Sequence, residues 1–382
     1  MSTTPTNPAP GGPAESPAAS LDTATLPAPE RPGPRTVTLE AVPLTRGSLP
    51  RSGPRLTLLG AVVAGAALYA AGLGLAWAAI VAAAGYTAAV YLWSRAVEGR
   101  RRAFDRFVTA AVSSAFLVAL LPLVSVVWTV VDRGLGRFDS EFFSYSMRGV
   151  VGEGGGVHHA IFGTLIITGL AAVISVPVGM LTAIYLVEYG RGALARAITF
   201  FVDVMTGIPS IVAGLFAYAL FELFYGPGVR MGVMGAVALS ILMIPIVVRS
   251  TEEMLKLVPN ELREASYALA VPKWRTITKV VLPTAVAGIA TGVTLAIARV
   301  IGETAPLLIT VGITTSDNFN PFDGRMATLS VFSYSQYATP GIPREAYFDR
   351  SWSAALLLIL IVMVLNLAAR LISRLFAPKT RG

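Results

Sequence analysis

No charged residue interrupts the chain between Leu56 and Trp93. A helix that crosses a bilayer needs about 20 apolar residues, each adding about 1.5 Å of rise. This run is close to twice that length. Gly72 and Gly74 flank Leu73 in its middle and allow a tight turn. The run therefore predicts two helices, about 57–73 and 75–93. Further apolar runs lie at 107–131, 161–187, 197–221, 232–249, 284–305 and 352–371, which makes eight predicted spans.

Composition fits that reading. Hydrophobic residues make up 54% and charged residues 14%, against roughly 25% charged in soluble domains. An ordinary soluble enzyme and a disordered chain are both excluded. So is a soluble nucleic-acid binder, despite a net charge of +8, because basic residues in so apolar a chain flank spans and set topology. There is no cysteine, hence no disulfide or thiolate metal site. The two histidines, His158 and His159, are adjacent. They fall short of a three-ligand zinc site and are expected in an outer loop, solvated or against a binding protein.

Residues 1–55 form a separate regime, with 12 of the 25 prolines and no helical period. They read as a disordered, Pro-rich cytoplasmic tail. The apolar run starts too late for a cleaved signal peptide. Twenty of the 30 Lys and Arg fall in 1–55, 94–106, 188–196, 250–283 and 372–382, and seven fall in the alternate segments. The asymmetry places both termini in the cytoplasm. The hairpin 56–94 leaves the later topology unchanged, so it is an accessory to a six-span core. Pro122, Pro177, Pro209, Pro245 and Pro306 punctuate the spans, and Gly288 with Gly292 permits close helix contact.

The most informative segment is cytoplasmic, 251–283: TEEMLKLVPNELREASYALAVPKWRTITKVVLP. It is amphipathic and long for a loop between spans, and such loops usually carry function. Two helical stretches are predicted, split near Ala270-Val271-Pro272, with Pro272 suited to the first turn of the second.

Glu264-Ala265-Ser266, then Ala270, then Leu282-Pro283, resembles the EAA loop of ABC importer permeases: Glu-Ala-Ala, three residues, Gly, about nine residues, Ile-x-Leu-Pro. Ser266 stands for the second Ala, Ala270 for Gly and Val280 for Ile, with the spacing intact. If the family Gly supplies a positive φ, Ala270 is strained; if it only allows close approach, Ala270 is harmless. The resemblance implies that the loop docks on a cytoplasmic ATPase subunit. No Gly is followed by Lys in this chain, so it has no phosphate loop of its own. ATP and magnesium would then sit on the partner, with no cofactor on this chain.

GGVHHAIFGTL (155–165), GIPSIVAGLF (207–216), MIPIVVRSTEEML (243–255), ARVIGETAPLL (298–308) and NLAAR (366–370) resemble PstA-type phosphate permeases over about 105–375, with an ABC transmembrane type-1 domain at about 160–372. The resemblance implies an all-α, type I ABC importer transmembrane fold in the cell inner membrane. It also implies a PstC-like permease partner, PstB-like ATPases and a PstS-like phosphate-binding protein.

Arg299 and Glu303 sit at i and i+4 in an apolar run, a spacing that predicts one helix face. A lone charge at mid-bilayer costs roughly 2.5–3.5 kcal/mol on insertion scales. The pair reads as a substrate-path element or as a structural clamp. Arg249, with Glu252 at i+3, reads as part of the path or as a topology residue at the inner end of its span. Guanidinium suits tetrahedral oxyanions through bidentate hydrogen bonds. Asp203 is expected to serve packing or ATPase-side contacts. A permease for another oxyanion, and an ion-coupled transporter using Arg299 and Glu303, remain alternatives at this stage.

Overall fold

A computed structural model describes residues 48–50 and 52–376. Most of the predicted tail lies outside these residues, as does 377–382. The described residues are helical, with no strand among them, and divide into two compact units, one ending at Ala115 and one beginning at Phe116.

In the first unit, helix α1 (Gly53–Ala70) packs on α2 (Leu75–Val97). Gly72 turns the chain with φ +93°, as the glycine spacing predicts. Gly65 lies close against Ala82, where a Cβ would come within 3.0 Å. The base of the hairpin is closed by Glu98, which is almost wholly buried. Its carboxylate accepts from the Leu49 N–H (2.8 Å), Ser94 Oγ (2.7 Å), and Arg106 Nε (2.5 Å) and Nη2 (2.8 Å). Helix α3 (Arg100–Gly134) carries Arg106 in its first turns and runs on past the unit boundary, Pro122 included.

The second unit continues through the short α4 (Ser140–Ser144) to α5 (His158–Ile184), which ends in a π turn, Tyr185–Tyr189. Helices α6 (Gly192–Thr206) and α7 (Ser210–Tyr225) follow, then α8 (Gly232–Lys256). The span expected at 197–221 is not one straight helix: α6 and α7 meet at 109°. Pro209 lacks an N–H and keeps the residue before it out of the α region, so the helix stops and the chain turns there. Seven helical stretches are long and apolar enough to cross a membrane, and the bent pair makes up to eight.

Next come α9 (Asn260–Ala268), α10 (Lys273–Thr276), a π turn at Ile277–Val281 and α11 (Leu282–Val300). The second arm of the predicted loop thus runs unbroken into the following span, Lys273–Val300. Short α12 (Ala305–Thr310), α13 (Leu329–Ala338) and long α14 (Arg344–Phe376) complete the unit.

Helices α5 and α8 form the centre. Ile167 and Ala171 of α5 pack with Leu239, Met243 and Val247 of α8, all fully buried. Gly288 and Gly292 of α11 lie against Met254 and Ser250 of α8, and a Cβ on Gly292 would sit 2.6 Å from Ser250 Cβ. The predicted small-residue pair therefore does bring two helix backbones together.

Candidate functional site: the cytoplasmic hairpin and the charged helix ends

Helix α9 carries Glu264 and Ala265 on its exposed side and Ser266 on its buried side. It terminates in a Schellman motif: the Ala270 N–H donates to Tyr267 O (2.9 Å) and the Val271 N–H to Ser266 O (3.2 Å). That motif needs a left-handed residue at the position Ala270 occupies, and φ of Ala270 is +57°. It is the only non-glycine positive φ among the described residues. Of the two readings of Ala270, the strained one holds, at a cost of roughly 1–2 kcal/mol for a left-handed L-residue.

The second departure from the motif has a partner. Ser266 Oγ lies 2.8 Å from Thr276 Oγ1, both buried, which ties α9 to the start of the next helix. Leu282 and Pro283 sit at the junction of the π turn with α11. Pro283 cannot donate to the carbonyl one turn back, and the wider π turn precedes it.

Two basic residues fasten this hairpin to the end of α5. Arg263 Nε and Nη2 donate to Glu188 Oε1 at 3.0 and 2.9 Å. The same guanidinium reaches Leu255 O (3.0 Å), a C-terminal carbonyl of α8, and Val258 O (2.6 Å) in the turn just after it. The Glu188 side chain is only 5% exposed. Lys273 Nζ donates to the Glu188 carbonyl and lies over the Tyr189 ring. No local pattern flags Glu188 or Arg263, which are 75 residues apart.

At the C-terminal end of α8, Arg249 Nη1 meets Glu252 Oε2 (2.9 Å), as the i+3 spacing predicts, and Nη2 meets Asp203 Oδ1 on α6. Lys256 Nζ holds the other oxygen of Glu252 at 2.6 Å. Through this ion pair Asp203 joins α6 to α8.

The expected Arg299–Glu303 pair does not form. Helix α11 ends at Val300, and the Glu303 N–H closes a turn onto Val300 O (3.1 Å). The two residues thus do not share a helix face. Arg299 is exposed on this chain and makes no ion pair among the described residues. Beside this turn, Thr304, Ser330, Ser333, Tyr334, Tyr337 and Ser351 help line an open cleft of about 440 Å³.

The histidines also differ from expectation. His159 is buried in the first turn of α5 against Phe332. His158 Nδ1 is 2.9 Å from Asp317 Oδ1. Sequence reading likewise passes over Arg350, fully buried, which donates to Gly152 O (2.7 Å) and Gly154 O (2.9 Å). Its one signal is an arginine beside an apolar run, facing glycines that leave their carbonyls free.

Comparison with known proteins places this helical bundle in a family. Residues 175–382 match the family of binding-protein-dependent transport system inner membrane components. The chain belongs to that family. It is 48% identical over 285 residues to "Phosphate transport system permease protein PstA 1" of Mycobacterium tuberculosis (strain CDC 1551 / Oshkosh), covering 74% of this chain and 92% of that protein. It is 40% identical to PstA of Pasteurella multocida (strain Pm70), over 67% of this chain and 90% of that one. Among solved structures, an inward-facing MetNI methionine ABC transporter overlays with a TM-score of 0.45 at 21% identity, over 58% of this chain and 94% of its own.

Proposed function

We propose that this chain is the membrane-spanning permease subunit of an ATP-driven importer of inorganic phosphate, working by alternating access in the inner membrane with both termini cytoplasmic. The observation that carries the reading is the 48% identity to a phosphate permease across 92% of that protein's length. A binding protein delivers phosphate outside, a related permease completes the path, and a separate ATPase pair hydrolyses ATP. This chain holds no cofactor and catalyses no reaction.

The exposed side of α9 is the coupling surface. Glu264 is flanked there by the exposed apolar side chains of Leu262, Tyr267 and Leu269, an acid set among groups that a partner groove would desolvate. Ala265 lies against the partner, while Ser266, Ala270, Leu282 and Pro283 set the shape of the hairpin behind it. Motion of α9 passes to the spans because Arg263 and Lys273 grip the end of α5, and α10 is continuous with α11.

Arg299 supplies positive charge to the path, with Glu303 in the adjoining turn. Arg249 and Glu252 stand at its inner end, where Asp203 partly balances the guanidinium. Partial balance matters, because an anion must bind well enough to enter and weakly enough to leave.

The test is uptake of labelled phosphate against labelled sulfate by vesicles carrying the whole importer. Phosphate should be taken up with ATP and sulfate should not; preferred uptake of sulfate would overturn the substrate. In the same vesicles Glu264→Lys should insert normally yet lose ATP-driven uptake, since charge reversal sets repulsion across the contact.

A further inference from the structure

Two arginines distant in sequence converge on one glycine. Gly312 follows α12 in the left-handed region, φ +70°. A Cβ placed on it would lie 3.0 Å from both Cδ and Nη1 of Arg230, and 3.5 Å from Cδ of Arg325. Both side chains therefore pass through the notch that the absent side chain leaves open.

The surrounding backbone fixes this meeting. The Val233 N–H donates to Pro321 O (2.8 Å), which stitches the start of α8 to the loop before α13. Asn318 Nδ2 donates to both Asp323 O (2.7 Å) and Arg325 O (3.0 Å), so the turn presenting Arg325 is tied internally. Tyr218 Oη accepts from the Gly228 N–H (3.0 Å) and steadies the loop that carries Arg230. Arg325 is exposed and Arg230 half-buried.

Neither guanidinium lies within 4 Å of a carboxylate among the described residues. The nearby acid Asp317 is engaged by His158, and Asp323 pairs with neither arginine. Two like charges whose side chains meet at one glycine, with no carboxylate paired to either, raise the local positive potential. The N-terminus of the long helix α8, just after Arg230, adds the same sign. Both arginines also fall in 222–231 and 306–351, segments predicted to face outward, where basic residues are scarce.

We propose that Arg230 and Arg325, with Gly312 as the notch between them, form an oxyanion-capture site at the outer mouth of the permease, where inorganic phosphate is held after release and before it enters the path. The assignment rests on the phosphate-permease reading above. Guanidinium pairs match tetrahedral oxyanions, and a charged mouth concentrates its ligand at low salt. Gly312 is needed twice over: its φ is strained for any side chain, and a methyl group would push Arg230 out of place.

The experiment uses the whole importer in vesicles, with its binding protein, comparing wild type with Arg230→Gln/Arg325→Gln, Arg230→Lys/Arg325→Lys and Gly312→Ala. Initial uptake of labelled phosphate is measured below saturation across a range of ionic strength. The Gln pair should fall roughly tenfold in rate at low salt and lose most of its salt dependence. Its rate at saturating phosphate should stay near wild type, and the Lys pair should keep at least half the wild-type rate below saturation. Docking of phosphate-free binding protein to the complex is measured in parallel. Unchanged uptake and salt dependence in the Gln pair, with wild type transporting normally, would overturn the capture site alone. Loss of binding-protein docking in that pair would assign the arginines to a protein contact and also overturn it. Absence of phosphate transport by wild type would instead defeat the underlying permease reading.

Discussion

Ser266 Oγ and Thr276 Oγ1 face each other at 2.8 Å across the hairpin of α9 and α10, both buried. The serine that breaks the Glu-Ala-Ala pattern is thus one half of a hydrogen bond whose other half lies ten residues on. Ser266→Ala would restore the pattern but strand a buried hydroxyl, at a cost of about 1–2 kcal/mol. Combining Ser266→Ala with Thr276→Val removes both groups and should recover most of that loss. Thermal unfolding of the purified subunit in detergent measures the cycle. Additive losses from the two single changes would mean that the bond contributes nothing.

Ala270 gives the opposite expectation. Its φ of +57° meets the geometry of the Schellman motif but not the preference of an L-residue. Ala270→Gly should stabilise the hairpin by about 1 kcal/mol and leave uptake unchanged. Ala270→Val adds a β-branched side chain to the same conformation and should destabilise it. Hydrogen exchange of the Val271 amide, which closes the motif onto Ser266, reports both effects locally.

These two residues also mark what the sequence discloses. Spans and the hairpin are legible because apolar length and loop length are local properties, and most predicted spans recur as helices. The break at Gly207–Pro209 is signalled by residue type, yet the apolar run continues through it, and hydropathy alone merges α6 with α7. The pairs Glu188–Arg263 and Asp203–Arg249 depend on which helix ends meet, and the meeting of Arg230 and Arg325 at Gly312 on which loops meet; no local period encodes either. Arg299 and Glu303 mislead for a related reason. The i+4 rule holds only while the helix lasts, and α11 stops at Val300.

Arg263 fills three roles, pairing with Glu188, capping the Leu255 carbonyl of α8 and holding the Val258 carbonyl in the turn after it. Arg263→Ala would leave the Glu188 carboxylate buried without its partner, at about 3–5 kcal/mol. Uptake should fall along with stability. Adding Glu188→Gln removes the stranded charge, so the double variant should regain stability without regaining full transport. The two readouts together separate clamp from fold. Recovery of both would reduce the clamp to a purely stabilising contact.

Glu98 makes stability of the first hairpin depend on pH. The Arg106 guanidinium, above all, holds its carboxyl at about 2, with the Leu49 N–H and Ser94 helping and burial opposing. The folded-state value lies below that of a free glutamate, roughly 4.3. The stabilisation is therefore fully present above that value and is lost as pH falls towards 2. Exchange at the Leu49 amide, bonded to Glu98 Oε1, should speed up over that window in the native chain. Glu98→Gln should exchange faster at neutral pH and lose the dependence; an unaltered acid profile in that variant would place the titrating group elsewhere.

Arg299 provides the sharpest division between clamp and path. A structural clamp requires a bonded partner, and Glu303 is not one: α11 ends at Val300, the chain turns between the two residues, and they form no ion pair among the described residues. Exchanging the two charges, Arg299→Glu with Glu303→Arg, should therefore fail to restore uptake, because no pair exists to be restored. Arg299→Gln should reduce uptake at least tenfold while the complex still assembles, since it removes a cation from the proposed substrate path, where charge would act more strongly than in water. Arg299→Lys keeps the charge but not the planar fork, and should retain partial uptake with weaker discrimination between phosphate and sulfate. The measurement is uptake of both labelled anions at equal subunit levels, with assembly checked by co-purification. Near-normal uptake by the charge-exchanged variant would return Arg299 and Glu303 to the role of a clamp, formed in another state of the transport cycle.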